Sequence, residues 1–229
     1  MTEGADGPRP VDTVERVSTT EQVVRSLRAA IVDGRIEQGA QLREVQLAAW
    51  LGTGRGVVRE AMRQLVQEGL AQHEVHRGTF VREITAADIR DVYLAREAVE
   101  LAAVELILAD QSPDLEAVRA AFEHMVEAAD DGQDWRGMAD RDIALHEALV
   151  AVSGSSRLVR MYATLAAESR MHLCRYPPYP QDRNVSDHRE IVDALEARDL
   201  AAIALLREHL RFSARLAVEW REGGSAEGA

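Results

Sequence analysis

The sequence predicts a mainly α chain in two parts: a compact head of three helices closed by a β-hairpin, then an all-α bundle of six to seven helices. Three observations carry that expectation. Apolar residues recur at three- and four-residue spacing along most of the chain beyond residue 20, the period of helices that bury one face. Residues 71–82 break the period, because Ala71 to Val75 and Thr79 to Arg82 flank His76-Arg77-Gly78 as two short strands about a glycine-bearing turn. Charge is also divided: residues 20–84 hold nine arginines and eight acidic residues, whereas residues 85–229 hold 16 arginines against 27 acidic residues.

Taken in order, residues 1 to about 17 have no signal-peptide core and are expected to be a flexible tail. Glu21 to Asp33 then put Val23, Val24, Leu27 and Ile31 on one helical stripe, and Gly34 and Gly39 punctuate the connection that follows. Glu44 to Leu51 form a shorter helix with Val45, Leu47, Ala48 and Leu51, ended by Gly52-Thr53-Gly54; the next helix stops at Gly69. Two helices joined by such a turn make a helix-turn-helix, and the hairpin adds a wing. The head is expected to span 18–84.

The stretch from Gly54 to Leu70 has the chemistry of a recognition helix. Val58, Met62, Leu65 and Val66 form an apolar face, while Arg55, Arg59 and Arg63 repeat every four residues on another. Such guanidinium groups can donate twice to guanine or to phosphate in the major groove; the bland alternative is a solvated charged face. Arg77 and Gly78 would bring the wing to the backbone or minor groove. A net charge of −12 would repel a polyanion, but the acidity lies almost wholly beyond residue 84. Every basic residue is Arg and none is Lys, which reads as the codon bias of a high-GC genome.

Leu42, Glu44, Leu47-Ala48, Leu51-Gly52, Arg55, Val58-Arg59-Glu60-Ala61, Leu65, Glu68-Gly69-Leu70 and Arg77-Gly78-Thr79-Phe80-Val81 together resemble the GntR family of bacterial transcription regulators, over about residues 20 to 83. The resemblance implies a winged helix-turn-helix that binds operator DNA. Departures fall where that family touches DNA. Its usual Ser-Arg-Thr-Pro-Val-Arg-Glu is here Gly54-Arg55-Gly56-Val57-Val58-Arg59-Glu60, without the two hydroxyls that would contact phosphate. Gly56 is expected to serve as N-cap at a cost of about a few tenths of a kcal/mol, leaving backbone N–H groups to face a phosphate. Val57 gives up the preset φ of a proline at the first helical position. Val45 stands where many members carry another DNA-contacting Arg. The fold should survive these changes, with affinity or operator choice altered.

Beyond the hairpin, Thr85 caps a helix running to about Ala109. Asp114 to Asp130, Trp135 to Val152, Ser156 to Arg175, Val185 to Ala197 and Leu200 to Arg221 follow, each amphipathic. Breaks fall at Gln111-Ser112-Pro113, Asp131-Gly132, Gly154 and Tyr176 to Pro180. Residues 85–222 are expected to form the bundle, where dimerisation would occur, and 223–229 a second tail. A hydrophobic content of 46% is enough for a core, and no apolar run approaches a membrane span. The single cysteine, Cys174, excludes an internal disulfide and fits a reducing cytoplasm, as a buried spectator thiol.

Polar residues interrupt the inward stripes of this bundle. Trp135, Met138, Asp142, His146 and Leu149 share one face, so a carboxylate and an imidazole one turn apart point inward. The stripe Val185, His188, Val192, Leu195 adds a second His, and Ala202, Leu205, His209, Phe212, Leu216 a third. Singly, each is more often a hydrogen-bonded core residue; together they suit a first-row divalent ion such as Zn²⁺, Ni²⁺ or Mn²⁺. His172, on the stripe with Leu158, Met161 and Leu165, is a rival ligand, and His124 is expected to be exposed. The pattern also resembles the FadR C-terminal (FCD) effector domain of many GntR regulators, whose Asp-x-x-x-His plus two later His are matched by Asp142, His146, His188 and His209.

Arg96 breaks the seam Ile89, Val92, Val99, Ala103, Leu106 and needs an anionic partner. That partner is either an internal carboxylate, for example Asp142 or Glu168, or a bound ligand. FCD regulators sense small organic acids, so the resemblance implies an effector carboxylate held between the metal and Arg96; Arg170 and Arg175 are further candidates. The expectation is a cytoplasmic, homodimeric, effector-responsive regulator, repressing in the family's usual mode, on a near-palindromic operator. The alternatives are a metal-dependent hydrolase-like enzyme and a metal- or metabolite-binding bundle whose head has lost specific DNA binding.

Overall fold

The computed structural model describes residues 18–130, 135–173 and 180–223, with the side chains of Trp135, Arg136 and Gln181 excepted. The expected tail at 1–17, all but Gly223 of the expected tail at 223–229, the break at Asp131-Gly132, all but Pro180 of the break at Tyr176 to Pro180, and Cys174 and Arg175 lie outside the described residues. Nine helices and three short strands occur among the described residues.

The chain begins with α1 (Thr19–Val32), where Ser18 and Glu21 close a reciprocal capping box. Its stripe Val23, Val24, Leu27, Ile31 is buried. Strand β1 (Gln41–Leu42) leads into α2 (Glu44–Leu51), which ends on Gly52 in the left-handed region at φ 61°. Helix α3 (Arg55–Gln67) buries Val58, Ala61, Met62 and Leu65. Its end is a Schellman turn: Leu70 N–H bonds to Leu65 O at 3.0 Å and Gly69 N–H to Val66 O at 3.2 Å, with Gly69 at φ 74°. Strands β2 (Ala71–Glu74) and β3 (Gly78–Val81) form the wing hairpin. The sheet order is β1-β3-β2, all antiparallel, with Leu42 opposite Thr79 and Glu74 opposite Gly78. At two residues, β1 is too short to leave a period in the sequence.

The start of α3 corrects one expectation. Gly54, not Gly56, is the N-cap, without a side-chain bond, so Gly56 and Val57 lie inside the first turn. Val57 N–H and Val58 N–H both reach back to Gly54 O, at 3.0 and 3.2 Å.

The second part consists of α4 (Ala86–Ala109), α5 (Glu116–Asp130), α6 (Trp135–Val152), α7 (Ser156–Leu173), α8 (Gln181–Glu196) and α9 (Ala201–Glu222). Thr85 and Asp88 close a second capping box at the head of α4. Helix α4 is the central strut, packed against α6, α7 and α9, and α5 packs against α6 and α8. Helix α8 starts at Gln181, four residues before the expected Val185, because Pro180 stands immediately before its first turn, where a missing N–H costs nothing.

Three inward stripes differ from expectation. Helix α7 buries Tyr162, Ala166, Ser169 and His172, and leaves Met161 exposed with Leu158 and Leu165 half-buried. Helix α9 buries Leu206, Leu210, Ser213 and Ala217 beside His209, with Leu205, Phe212 and Leu216 half-buried. In α4, Leu106 is exposed and Ile107 takes its place in the core. His124 is exposed, as expected.

Candidate functional sites

The exposed end of the head carries the arginines singled out above. Arg55, Arg59 and Arg63 are all solvent-exposed along α3. Two of them are held by neighbouring carboxylates. Glu44 of α2 accepts from both Nε and Nη2 of Arg59 at 2.8 Å, and Glu60 accepts from Arg63 at 3.1 Å. The hydrogen bond from Arg59 holds the Glu44 carboxyl below its ordinary range. In the wing, Arg77 pairs with Glu74, and its guanidinium lies 5.2 Å from the Phe80 ring centroid. Gly78 sits at φ 108°, where a Cβ would meet Gln41 Nε2 at 3.1 Å, and Gln41 itself bonds to Arg77 O at 2.8 Å. The backbone conformation therefore favours glycine there, and a Cβ would also press on the Gln41 amide. Val45 and Trp50 are exposed on α2.

Within the bundle, Asp142, His146, His188 and His209 converge, one donor atom from each lying within 4.8 Å of all the others. His146, His188 and His209 are buried, and Asp142 is mostly so. The hydrogen bonds around them decide which ring atoms face the centre. His188 donates from Nδ1 to Asn184 O at 2.7 Å, and His146 donates from Nδ1 to Glu100 at 2.5 Å. Both Nε2 atoms are thereby turned toward the centre, where they face one another at 3.1 Å. Asp142 lies 3.5 Å from Nε2 of His188 and 4.0 Å from that of His146.

Two Nε2 atoms and a carboxylate turned on one point call for a cation among them, a shared proton or a metal ion. Tetrahedral ligands at ~2.0–2.1 Å from a zinc ion stand roughly 3.3 Å apart, against 3.1, 3.5 and 4.0 Å among Asp142, His146 and His188 and no more than 4.8 Å across all four residues. Burial pushes His188 down to about 4 and His209 well below its ordinary value, so both are neutral and ready to ligate near pH 7. The residues present thus fit a divalent transition metal, with Glu100 and the Asn184 carbonyl orienting the ligands from behind.

Arg96 lies beside this centre and is 1% exposed. Its partner is neither Asp142 nor Glu168, as expected, but Glu100, one turn along the same helix, at 2.7 Å from Nε. Glu100 is the one carboxylate here that sequence reasoning missed, although its four-residue spacing from Arg96 was a usable signal. Burial alone would raise its pKa, but Arg96 and then His146 hold it at about 2. Glu100 thereby joins Arg96 to the histidine cluster. The Arg96 guanidinium also lies 5.1 and 5.8 Å from the rings of Tyr93 and Tyr162.

His172, the rival ligand, stands apart from the four clustered residues and packs against Tyr93 with ring centroids 5.5 Å apart. Burial and then Arg96 push it down to about 3. Arg170 turns toward Asp140 and Glu147, at 3.3 and 3.7 Å.

The comparisons with known proteins agree with this architecture. Residues 19–81 match the family model "Bacterial regulatory proteins, gntR family", and residues 91–212 match the FCD domain. Among curated relatives, the "Probable D-xylose utilization operon transcriptional repressor" of Paenarthrobacter nicotinovorans is 35% identical over 80% of this chain and 81% of its own. The repressor GlaR of Escherichia coli is 31% identical over 81% and 90%. A GntR regulator from Rhodococcus sp. RHA1 superposes with a TM-score of 0.76 at 32% identity, covering 87% of this chain and 97% of that one. These relatives are transcription regulators, so the hydrolase-like alternative is set aside. No described helix is long and apolar enough to cross a membrane. With a gntR-type head matched at 19–81 and an FCD domain covering more than half of its length, the chain belongs to the GntR family of bacterial transcription regulators.

Proposed function

We propose that the protein is a homodimeric repressor whose grip on a near-palindromic operator is set by a small carboxylate bound in the FCD bundle beside a divalent metal. The observation that carries the reading is the pair of Nε2 atoms facing at 3.1 Å next to Asp142, with the buried Arg96 tied to the same cluster through Glu100. Asp142, His146, His188 and His209 would hold the ion, which supplies a Lewis-acidic position for a carboxylate oxygen. Arg96 would take the second oxygen through Nη2, which has no hydrogen-bond partner among the described residues.

Helix α7 offers a path from that site to the head. Its Glu168 accepts from Arg82 at 3.2 Å, and Arg82 also pairs with Asp88. The Met171 carbonyl accepts from Gln38 Nε2 at 3.2 Å, while Gln38 Oε1 accepts from Ile84 N–H, also at 3.2 Å. A ligand that favours one setting of α7 shifts the tilt of the heads only by its differential affinity for the two settings. On DNA, Arg55, Arg59 and Arg63 would enter the major groove while Arg77 and Gly78 seat the wing; Glu44 would aim Arg59, while Glu60 and Glu74 would give up Arg63 and Arg77 to phosphates or base edges.

Fluorescence anisotropy on DNA from immediately upstream of the gene, against a scrambled duplex and across a salt series, tests the reading. Sequence-selective binding that weakens steeply with salt and falls with Arg59→Ala is expected. Equal, weak binding to both duplexes and to the gene's other flank would remove the operator-binding claim.

A further inference from the structure

We propose that the effector is a hydroxylated carboxylate, whose hydroxyl groups are read by Tyr162, Ser169 and His172 of α7 across from Arg96. This rests on the carboxylate reading above and adds the class of acid. Tyr162, Ser169 and His172 fall on a single buried face of α7, at spacings of seven and three residues. They are 1%, 0% and 2% exposed. The Tyr162 hydroxyl, the Ser169 hydroxyl and both ring nitrogens of His172 have no hydrogen-bond partner among the described residues. The Glu168 carbonyl lies near enough to His172 to favour its charged form, but not in hydrogen-bond geometry. Buried polar groups are almost always paired, so a run of orphans on one face beside an orphaned guanidinium nitrogen marks a place for a polar guest.

The chemistry of the orphans restricts that guest. A carboxylate only accepts, and its lone pairs are already claimed by Arg96 and the metal ligands' centre. His172 is neutral, so one of its nitrogens requires a donor, which a carboxylate cannot supply. An ammonium group would supply donors, but it would stand beside the buried charge of Arg96. A hydroxyl donates and accepts, as do Tyr162 and Ser169, and it carries no charge. An unsubstituted acid of the same length would leave all three side chains unpaired, and sites built to bond a substrate hydroxyl reject analogues lacking it.

The test is calorimetric titration of the full-length protein, as purified, with matched acids: glycerate against propionate, malate against succinate, gluconate against hexanoate. At least one hydroxylated acid should bind tenfold or more tighter than its match. Tyr162→Phe with Ser169→Ala, each removing one oxygen, should bring the two affinities within threefold of each other. Equal affinities within every pair would overturn the hydroxyl inference and leave the carboxylate reading standing. Binding by none of the six acids would overturn both. If the double variant does not fold, the wild-type ratios decide the matter, and His172→Asn provides the second variant.

Discussion

Glu100 does more at the scale of the single residue than its neighbours, because one buried carboxylate neutralises Arg96 and orients His146. Glu100→Gln keeps the shape and removes the charge, leaving the guanidinium uncompensated. The expected cost is about 3–5 kcal/mol of stability, read as a lower melting temperature, together with roughly 10–100-fold weaker metal binding in a chelator competition. An unchanged melting temperature would show that Arg96 finds its counter-charge elsewhere. His172 supplies a pH dependence of known sign. Its folded pKa of about 3 lies below its unfolded value, so between those two the unfolded chain binds the extra proton. Stability is full above the unfolded value near 6.5 and falls as pH drops toward 3, by about 2 kcal/mol at pH 5. Urea titrations of wild type and His172→Asn at pH 7 and pH 5 should show a smaller loss in the variant.

Single helix ends decide geometry at the next scale. Gly69 closes α3 at φ 74°, and a Cβ there would meet Glu168 Oε1 at 2.9 Å. Gly69→Ala should therefore cost about 1 kcal/mol in backbone strain and also push Glu168 away from Arg82, so that effector response suffers with stability. Retained stability at the wild-type melting temperature would contradict this account of the turn. The α2 and α3 pair makes a separate prediction. Glu44, half-buried, holds the exposed Arg59 by two bonds at the surface, so its contribution to stability is small and its effect is to aim the guanidinium. Glu44→Gln should leave the melting temperature within a degree or two while narrowing the affinity gap between operator and scrambled DNA. A wider gap would mean that Glu44 opposes operator binding.

Coupling belongs to the whole molecule. The orphaned face of α7 and the Glu168 and Met171 contacts to the head occupy one short stretch of helix. Glu168→Gln should keep operator affinity in the absence of effector, while the effector's fold-change on that affinity moves toward one in an anisotropy titration. An undiminished response would place the path elsewhere. The cation links to the same equilibrium: a ligand at a hundred times its dissociation constant adds about 2.7 kcal/mol. Stripping the protein with a chelator should lower the melting temperature, and adding back Zn²⁺, Ni²⁺ or Mn²⁺ should restore it in wild type but not in His188→Ala.

The number and order of the long helices, the winged head and the grouping of Asp142 with three histidines are legible in the amino-acid sequence. Those features are written in local spacing: a period of three to four, capping residues such as Thr85, and glycines where φ must be positive. Which faces meet depends on how the helices pack. Hydropathy placed Leu158, Met161 and Leu165 inward on α7 together with His172, whereas the buried face joins His172 to Tyr162, Ala166 and Ser169, whose hydroxyls carry no apolar signal. The same holds for Glu100, hidden as a charge among core positions, and for the carboxylates that hold Arg59, Arg63 and Arg77. A helix turns about 100° per residue, so a shift of one position changes its inward face, and that rotation is settled by the charges and hydrogen bonds of the helices packed against it.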